Sequence, residues 1–264
     1  MEIQEAICMS GSEVGGDGDD GERAINEEES VSSDTGFLAW STWQLIDSIL
    51  PTGGFAHSYG LEAATQAGIV YDAQTVEKFA MTVLESAGAL LLPFVFTACN
   101  KEVVGLEDWI ALDWSLHAVM TNHVARAASI GQGKALMRLA GTVFKEIAQE
   151  VATMRSCLLT KPSRAHGHHA VVFGRILGLL GADCVTAQRA YLFLNLRDVL
   201  SAATRLNLIG PMEAALLQHR HAKLAELVLA KYANRSSLDA YQISPVLDTV
   251  QGAHTQLFSR LFCS

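Results

Sequence analysis

The chain has 264 residues, half of them hydrophobic, and a formal net charge of −9. Residues 1–35 hold eleven acidic residues and the single base Arg23, whereas residues 36–264 hold seventeen acidic residues and eighteen lysines and arginines. The hydrophobic content excludes a wholly disordered chain, and a near-neutral body without a basic, aromatic-interleaved patch argues against nucleic-acid binding.

The N-terminal segment, residues 1–35, consists mainly of Gly, Ser, Asp and Glu, as in the run Gly15–Asp20. Such a composition buries too little apolar surface to offset the entropy lost on ordering. We therefore predict a disordered acidic tail, and a solubilising role is favoured over a specific interaction. A single globular domain is expected over residues 36–264.

The first half of the domain shows apolar residues at three- and four-residue steps, which is typical of helices. We predict a helix over residues 37–50 that runs into a loop, and a short helix over residues 58–67. A third helix begins after the potential cap Asp72 and is bent or divided by Pro93.

The middle of the chain is also helical in pattern. A helix is predicted around Trp109–Val119, and a long helical segment over residues 122–159. Glycines 131 and 133 interrupt that segment at a cost of roughly 1 kcal/mol each, so a break or a close packing contact is expected there.

The C-terminal part contains helices predicted over residues 166–180 and 186–206, and one that Gly210-Pro211 starts and that runs to Tyr232. Ser244-Pro245 is expected to start a final helix that continues to within two residues of the end. No alternating strand pattern of useful length is present. The sequence therefore predicts an all-α fold, a single globular bundle of about ten helices.

The compartment can be inferred from the cysteines and the hydrophobic runs. The five cysteines are far apart and include no C-x-x-C pair, and Cys99, Cys157 and Cys184 lie among apolar residues, as buried thiols in a reducing compartment do. The longest uncharged run, residues 86–100, is shorter than the ~20 apolar residues that a membrane span needs. No secretory signal precedes the domain, so we expect a soluble, cytosolic protein.

The segment that departs most from the helical pattern is the loop over residues 50–62. It combines Pro51 with Gly53, Gly54 and Gly60, so its backbone adopts conformations that other residues avoid and its amides are open to a ligand or partner. The loop contains no carboxylate before Glu62. This composition favours a contact surface over a reaction centre.

An enzyme would have to use His57, Tyr59 and Glu62 as its acid–base set, because the chain offers no better group of this kind. Ser58 is not framed by the G-x-S-x-G pattern of a nucleophile elbow, and a helix N-cap that bonds the amide of Gly60 or Leu61 explains it better. Gly133-Lys134 does not belong to a phosphate-binding loop. Neither a catalytic activity nor a cofactor is expected.

Histidines are concentrated at residues 166–169 and 219–221, without an H-E-x-x-H motif. Only His166 and His169 could share one face of a helix, so a solvated or capping cluster is favoured over a metal site. His166, His168 and His169 remain weak candidates for nickel or zinc.

The C-terminus carries Arg260, Leu261 and Phe262 within its last five residues. Chain ends rarely carry large apolar side chains that have no contact. The segment therefore docks either on its own domain or on a partner.

The loop and the C-terminus together resemble the urease accessory protein F family. The specific match is Gln44–Ser48 followed by Leu50–Glu62. Weaker matches follow in family order, from residue 126 to the end of the chain: Arg126, Gly131–Gly133, His169–Gly174, Arg205-Leu206, Pro245–Asp248, His254 and Arg260–Phe262. The resemblance covers about residues 38–264, and the acidic extension with a tryptophan-rich first helix is typical of a plant member.

The resemblance implies an all-helical, dimeric, non-enzymatic scaffold for nickel insertion into urease. Family members bind the accessory protein called D or H, and the pair recruits the G-type GTPase that delivers nickel to apo-urease. A direct nickel carrier that uses residues 166–169 and a small-molecule enzyme that uses residues 57–62 are the alternatives.

The resemblance also indicates which residues make contacts. The loop and the C-terminus are expected to form one partner-binding surface, with Arg260 donating hydrogen bonds to loop carbonyls. Its members are Pro51, Gly53, Gly54, Phe55, His57, Ser58, Tyr59, Arg260, Leu261 and Phe262. A second set faces either the dimer partner or the GTPase: Arg126, Gln132 and Lys134.

Overall fold

A computed structural model describes residues 40–100 and 105–264. Within these ranges the regular structure is helical and contains no strand, which confirms the predicted all-α fold. The described residues contain eleven α-helices, in line with the expected number. The predicted disordered tail, residues 1–35, lies outside the described residues.

The helices follow the chain with short connections. Their bounds are α1 (residues 40–46), α2 (Leu61–Gln66), α3 (Ala73–Leu90), α4 (Leu92–Cys99), α5 (Leu106–Val119), α6 (His123–Val143), α7 (Ala148–Leu159), α8 (His169–Leu180), α9 (Cys184–Arg205), α10 (Pro211–Tyr232) and α11 (Pro245–Gly252). Four short 3₁₀ helices lie between or after them: Gly54–Ala56, Lys145–Ile147, Ser237–Asp239 and Ala253–Gln256.

Helix starts follow the capping residues of the sequence. Asp72 accepts the amide of Thr75 at 2.8 Å and Thr75 Oγ1 accepts the amide of Asp72 at 3.0 Å, a reciprocal capping box that begins α3. Pro93 lies in the first turn of α4, where its missing N–H costs no helical hydrogen bond. The helix is consequently divided there, and α3 and α4 meet at a bend of 45°.

Helices α8 and α9 form the centre of the domain, and most residues of both are buried. Helix α8 crosses α4 closely because Gly174 and Gly178 face it. A Cβ on either glycine would overlap the backbone of Val95 or Cys99. The two backbones can therefore approach more closely than side chains would allow.

Helix α6 is continuous through Gly131 and Gly133, so the expected break is absent and the alternative, a close contact, is correct. A Cβ on Gly133 would overlap the backbone of Gly167 in the segment before α8. The opposite side of the helix is open, because nothing lies within 4 Å of a Cβ built on Gly131.

Helix α8 begins at His169 and not at residue 166 as predicted. The buried carboxylate of Asp113 accepts the amides of His166 at 2.5 Å and of His168 at 2.7 Å, and it also accepts that of Gly167. These amides therefore donate to a side chain and not to the carbonyls of a helix. Gly167 also has a positive φ of 81°, a backbone conformation that an α-helix does not contain.

The last helix also differs from its prediction. Helix α11 ends at Gly252, and after the turn Ala253–Gln256 the chain is extended at Leu257. The amides beyond this point bond to residues of the loop and of α2, as described below, and so are not available for a helix.

Within residues 40–100 and 105–264, none of the helices alone has the length and apolarity that crossing a bilayer requires. The bent pair α3 and α4 meets that criterion only when the two are taken together.

The two glycines of α6 predict opposite effects of the same substitution. Gly131→Ala should raise the free energy of unfolding by about 0.5–1 kcal/mol, because alanine lowers the entropy of the unfolded chain without a clash. Gly133→Ala should lower it by about 1–3 kcal/mol, because the added methyl group overlaps the backbone of Gly167. Urea unfolding measures both, and equal effects of the two substitutions would contradict the packing described here.

Candidate partner-binding site

The loop over residues 50–60 is shaped by two glycines with distinct roles. Gly60 has a φ of +87° and precedes α2, and a Cβ there would lie 2.9 Å from Cβ of Gln251 in α11. A Cβ on Gly54 would lie 2.5 Å from Oδ2 of Asp198 in α9. The loop is therefore pressed against both helices at positions that only glycine fits.

The centre of the site is the carboxylate of Glu62, which is only 3% exposed. Its Oε1 accepts the amide of Leu261 at 2.6 Å and its Oε2 accepts the amide of Phe262 at 3.1 Å. Nε2 of the fully buried His254 lies 3.1 Å from the same Oε2. One buried carboxylate thus holds two consecutive backbone amides and a histidine of the C-terminal segment.

Further hydrogen bonds extend this attachment to the end of the chain. The amide of Ser58 donates to the main-chain oxygen of Ser264 at 2.6 Å, and the Ser58 hydroxyl donates to the same oxygen at 2.8 Å. The amide of Cys263 donates to the carbonyl of Ala56 at 2.7 Å. The tail, which we define as residues 257–264, is therefore hydrogen-bonded along one side of the loop.

One guanidinium contacts an aromatic ring of the loop and an aromatic ring of the tail. The guanidinium of Arg205 in α9 lies 4.3 Å from the ring centroid of Phe262 and 5.9 Å from that of Phe55. Arg197 covers Phe55 at 4.8 Å. Cation–π attraction of this kind contributes about 0.5–2 kcal/mol per contact, so α9 fixes both aromatic rings.

Asp198 in α9 also holds the loop in position. Its buried carboxylate accepts the guanidinium of Arg197 at 2.7 Å and the hydroxyl of Tyr59. Burial raises the pKa of Asp198, although Arg197 opposes the shift, and burial followed by the charge of Asp198 raises the pKa of Tyr59. Arg197 also donates to the carbonyl of Ile46, which ties the end of α1 to the loop.

The expected role of Arg260 is wrong. Its side chain is exposed and forms no hydrogen bond to a loop carbonyl among the described residues. The attachment is made by the backbone amides of the two following residues, and the acceptor is the side chain of Glu62.

Ser58 does not cap a helix in the manner predicted. The residue before α2 is Gly60, and the Ser58 hydroxyl lies 3.3 Å from the amide of Glu62 while it donates to Ser264. Nδ1 of His57 faces the hydroxyl of Ser264 at 2.7 Å. Glu62 is also fully engaged with the tail, and the hydroxyl of Tyr59 bonds Asp198, so the acid–base set considered for an enzyme is used for structural contacts.

The sequence-predicted surface is thus divided into buried and exposed members. Gly54, Ser58 and Phe262 are buried, and of these Ser58 bonds the end of the tail. The exposed members are Pro51, Gly53, Arg260 and Leu261, while Phe55, His57 and Tyr59 are half-buried. Sequence reasoning missed Phe258, which is fully exposed, and Ile49, which is largely exposed.

A small cavity of about 120 Å³ lies behind the loop and the end of the tail. Its lining includes His57, Tyr59, His169 and Ser264, together with Gln132 from α6. Gln132 is buried and therefore does not lie on an exposed surface with Arg126 and Lys134. Lys134 is exposed and Arg126 is half-buried.

The histidines of residues 166–169 are separated by the start of α8. His169 points to Phe173 and Tyr191, whereas the ring of His166 stacks on that of His117 with centroids 3.5 Å apart. Nδ1 of His117 lies 3.1 Å from Nε2 of His168. No group of three or more metal-ligating side chains suited to a metal ion occurs in the part of the chain that the structure describes.

The protonation of these histidines follows from their neighbours. Arginine only donates, so Arg126 at 3.5 Å makes Nε2 of His117 an acceptor and leaves the proton on Nδ1. His117 then donates to His168, whose Nδ1 donates to the hydroxyl of Ser129 at 3.1 Å. A directed hydrogen-bond chain therefore connects His117 to Ser129, and both residues are half-buried.

Comparison with known proteins identifies the family. The UreF family model matches residues 70–222. Urease accessory protein F of Arabidopsis thaliana is 52% identical over 227 residues, which are 86% of this chain and 93% of that protein. The corresponding protein of Oryza sativa subsp. japonica is 51% identical over 225 residues, 85% of each chain. UreF of Paenarthrobacter aurescens is 31% identical over 226 residues, 84% of this chain and 96% of the other.

The chain is a member of the UreF family. This confirms the resemblance inferred from the loop and the C-terminus, including its plant-like character. UreF proteins are urease accessory proteins and not enzymes, which agrees with a loop whose polar side chains are occupied by structural hydrogen bonds.

The role of Glu62 in this UreF chain predicts the effect of its substitution. Glu62→Gln removes a charged acceptor of two amides, and such bonds contribute about 1.5–3 kcal/mol. Hydrogen exchange at the amides of Leu261 and Phe262 should therefore accelerate by about tenfold or more. Arg260→Ala is the control and should leave this exchange unchanged, and unaltered exchange in the Glu62 variant would contradict the assignment.

The buried histidines predict a dependence of stability on pH. Burial lowers the pKa of His168 and of His169 to about 4, whereas the unfolded side chains titrate near 6.5. Between these values the unfolded state binds more protons, so the free energy of unfolding falls as the pH is lowered through this window.

His169→Gln tests this dependence. It should reduce the slope of the unfolding free energy against pH by up to about 1.4 kcal/mol per pH unit, and His219→Gln, at an exposed residue of α10, is the control variant. Chemical denaturation at a series of pH values measures the slope. Equal slopes for the wild type and the His169 variant would contradict the prediction.

Proposed function

We propose that this UreF chain is a scaffold for urease maturation. Together with the D- or H-type accessory protein it recruits and regulates the G-type GTPase that inserts nickel into apo-urease. The observation that carries this proposal is the tail, whose backbone is held by buried hydrogen bonds while Phe258 and Leu261 project outward. The names of the related proteins support the urease accessory role.

The surface assigned to the D- or H-type partner is the tail with the rim of the loop. Phe258, Leu261 and Ile49 are exposed apolar residues within or beside these segments, and Trp40 and Trp43 are exposed on α1. Large apolar and aromatic side chains at the surface are typical of protein interfaces. Arg260 adds an exposed guanidinium that can bind a carboxylate of the partner.

The GTPase is assigned to the outer side of α6, where Lys134 is exposed and Arg126 is half-buried. Gln132 faces the cavity and cannot contribute to that surface. Of the two alternatives for these residues, the GTPase is proposed here, which leaves α10 and the exposed part of α9 for contacts between copies of the chain.

A homodimer is proposed through the outer face of α10. Met212, Leu216 and Leu227 are exposed at spacings that place them on one side of this helix, and Phe193 of the neighbouring α9 is exposed as well. An apolar stripe on a surface helix is typical of a helix that packs against another. A second copy of the chain would cover this stripe in a self-complementary contact.

Two other functions are not supported by a specific observation. A direct nickel carrier would use residues 166–169, but His169 is turned away from His166 and His168. A small-molecule enzyme would use His57, Tyr59 and Glu62, whose polar atoms bind the tail and α9. A cytosolic location fits both the proposed partners and the free, buried thiol of Cys157.

Substitution of an exposed tail residue tests the partner surface. Phe258→Asp should lower the affinity for the D- or H-type protein at least tenfold, because it places a charge in an apolar contact. Leu238→Asp is the matched control, since Leu238 is equally exposed but belongs to a turn that contacts α4. Titration calorimetry measures binding, and equal losses for both variants would refute the assignment.

The dimer has its own test. Leu216→Asp combined with Leu227→Asp should convert a dimer into a monomer, as measured by light scattering coupled to size-exclusion chromatography. Leu159→Asp, at an exposed position on α7, serves as control. A wild-type monomer, or a dimer that survives the double substitution, would overturn this part of the proposal. Co-purification of the accessory proteins and urease, with and without GTP, tests the complete assembly.

A further inference from the structure

Two buried hydrogen-bond donors lie apart from the loop and the tail. The indole Nε1 of Trp109 in α5 and the Nη1 of Arg175 in α8 are both inaccessible to solvent and have no hydrogen-bond partner among the described residues. Trp109 is only 1% exposed. Leaving such a donor unpaired costs about 1–3 kcal/mol, and buried donors in native proteins are nearly always satisfied.

Both side chains line the same cavity. This cavity has a volume of about 130 Å³ and lies between the start of α5, the first half of α7 and the middle of α8. Leu106 and Met154 form apolar walls, and Thr153 and Glu150 complete the lining at the surface. Two side chains from different helices, each with a buried donor that lacks a partner, thus line one cavity that is partly open to solvent, and such a cavity can hold a small acceptor.

We propose that the cavity between α5, α7 and α8 binds a small oxyanion of the carboxylate or phosphate class. Arg175 would supply the charged, forked donor that matches such groups, and Trp109 would add a neutral N–H. The volume corresponds to about four water molecules at their liquid share of ~30 Å³ each. It therefore accommodates acetate or phosphate.

The charges around the cavity support an anion. Burial lowers the pKa of Arg175, and Glu150 is the largest influence that opposes this shift. No described carboxylate lies within 4 Å of the Arg175 guanidinium to form an ion pair. Glu150 itself is exposed, so water screens its charge. A bound oxyanion would therefore neutralise a positive charge that the chain leaves only partly compensated.

This site is independent of the proposed scaffold function, because it shares no residue with the loop, the tail or α10. Its test uses the isolated full-length chain and does not depend on urease or on the other accessory proteins. The outcome therefore cannot be confused with failure of the proposed function.

The experiment follows the indole N–H resonance of Trp109 by ¹⁵N-correlated NMR. The chain has four tryptophans, so four indole signals are expected, and Trp109→Phe assigns the one of interest. Sodium acetate and sodium phosphate are titrated separately against sodium chloride at matched ionic strength. The Trp109 signal should shift and saturate with at least one oxyanion, while the signals of Trp40, Trp43 and Trp114 stay in place.

Variants determine whether binding in the cavity causes the shift of the Trp109 signal. Arg175→Gln should weaken binding at least tenfold, as expected for loss of a charge-assisted hydrogen bond. Glu150→Gln should tighten it, and because Glu150 is exposed this variant folds even if the Arg175 variant does not. Arg138→Gln, at an exposed arginine of α6, is the matched control and should have no effect.

The proposal fails if the Trp109 signal moves no more with acetate or phosphate than with chloride. It also fails if Arg175→Gln folds and binds with wild-type affinity, or if Glu150→Gln weakens binding. The last result would show that the charge of Glu150 favours binding, which contradicts a site that attracts the oxyanion by positive charge.

Discussion

The geometry of this UreF chain depends on one buried carboxylate. Glu62 lies in the first turn of a six-residue helix among apolar residues, and its two oxygens accept two consecutive amides of the tail and face a buried histidine. Moving a carboxylate from water into the protein interior has a large unfavourable free energy unless the carboxylate is paired and hydrogen-bonded. The tail supplies the missing donors, so the position of the tail and the burial of Glu62 require each other.

The loop is the other half of this arrangement. Its glycines allow the backbone to lie against α9 and α11, and Asp198 and the two arginines of α9 fix its aromatic side chains. The exposed side of the same assembly carries Phe258 and Leu261. An internal polar network thus orients an external apolar surface, and this connects the local chemistry of the fold to the proposed role as a scaffold.

Much of the helical fold could be predicted because the relevant signals are local. Apolar periodicity, Asp72 as a cap, Pro93 as a helix start and Gly210-Pro211 as a boundary all act within a few residues. The start of α8 could not be found in this way, because Asp113 binds its preceding amides from more than fifty residues away. The end of α11 was missed for the same reason, since the tail is held by Glu62 and Ala56.

The candidate site was located from the sequence but its mechanism was not. The glycine-rich loop and the Arg260–Phe262 segment do lie together, yet the anchoring side chain is Glu62 and not Arg260. The available signal was a lone carboxylate between Leu61 and Ala63-Ala64, an apolar stretch in which a charged residue needs a partner. The unpaired donors of Trp109 and Arg175 left no signal, because the sequence does not show which polar groups remain without partners.

The central claim is that Glu62 acts on partner binding through the position of the tail. A double-mutant cycle of Glu62→Gln and Phe258→Asp, read as affinity for the D- or H-type accessory protein by titration calorimetry, tests it most directly. If Glu62 acts by holding Phe258 in place, each substitution weakens binding. The loss of binding free energy in the double variant is then much smaller than the sum of the two single losses. Strictly additive losses, or a Glu62 variant with wild-type affinity, would contradict the claim.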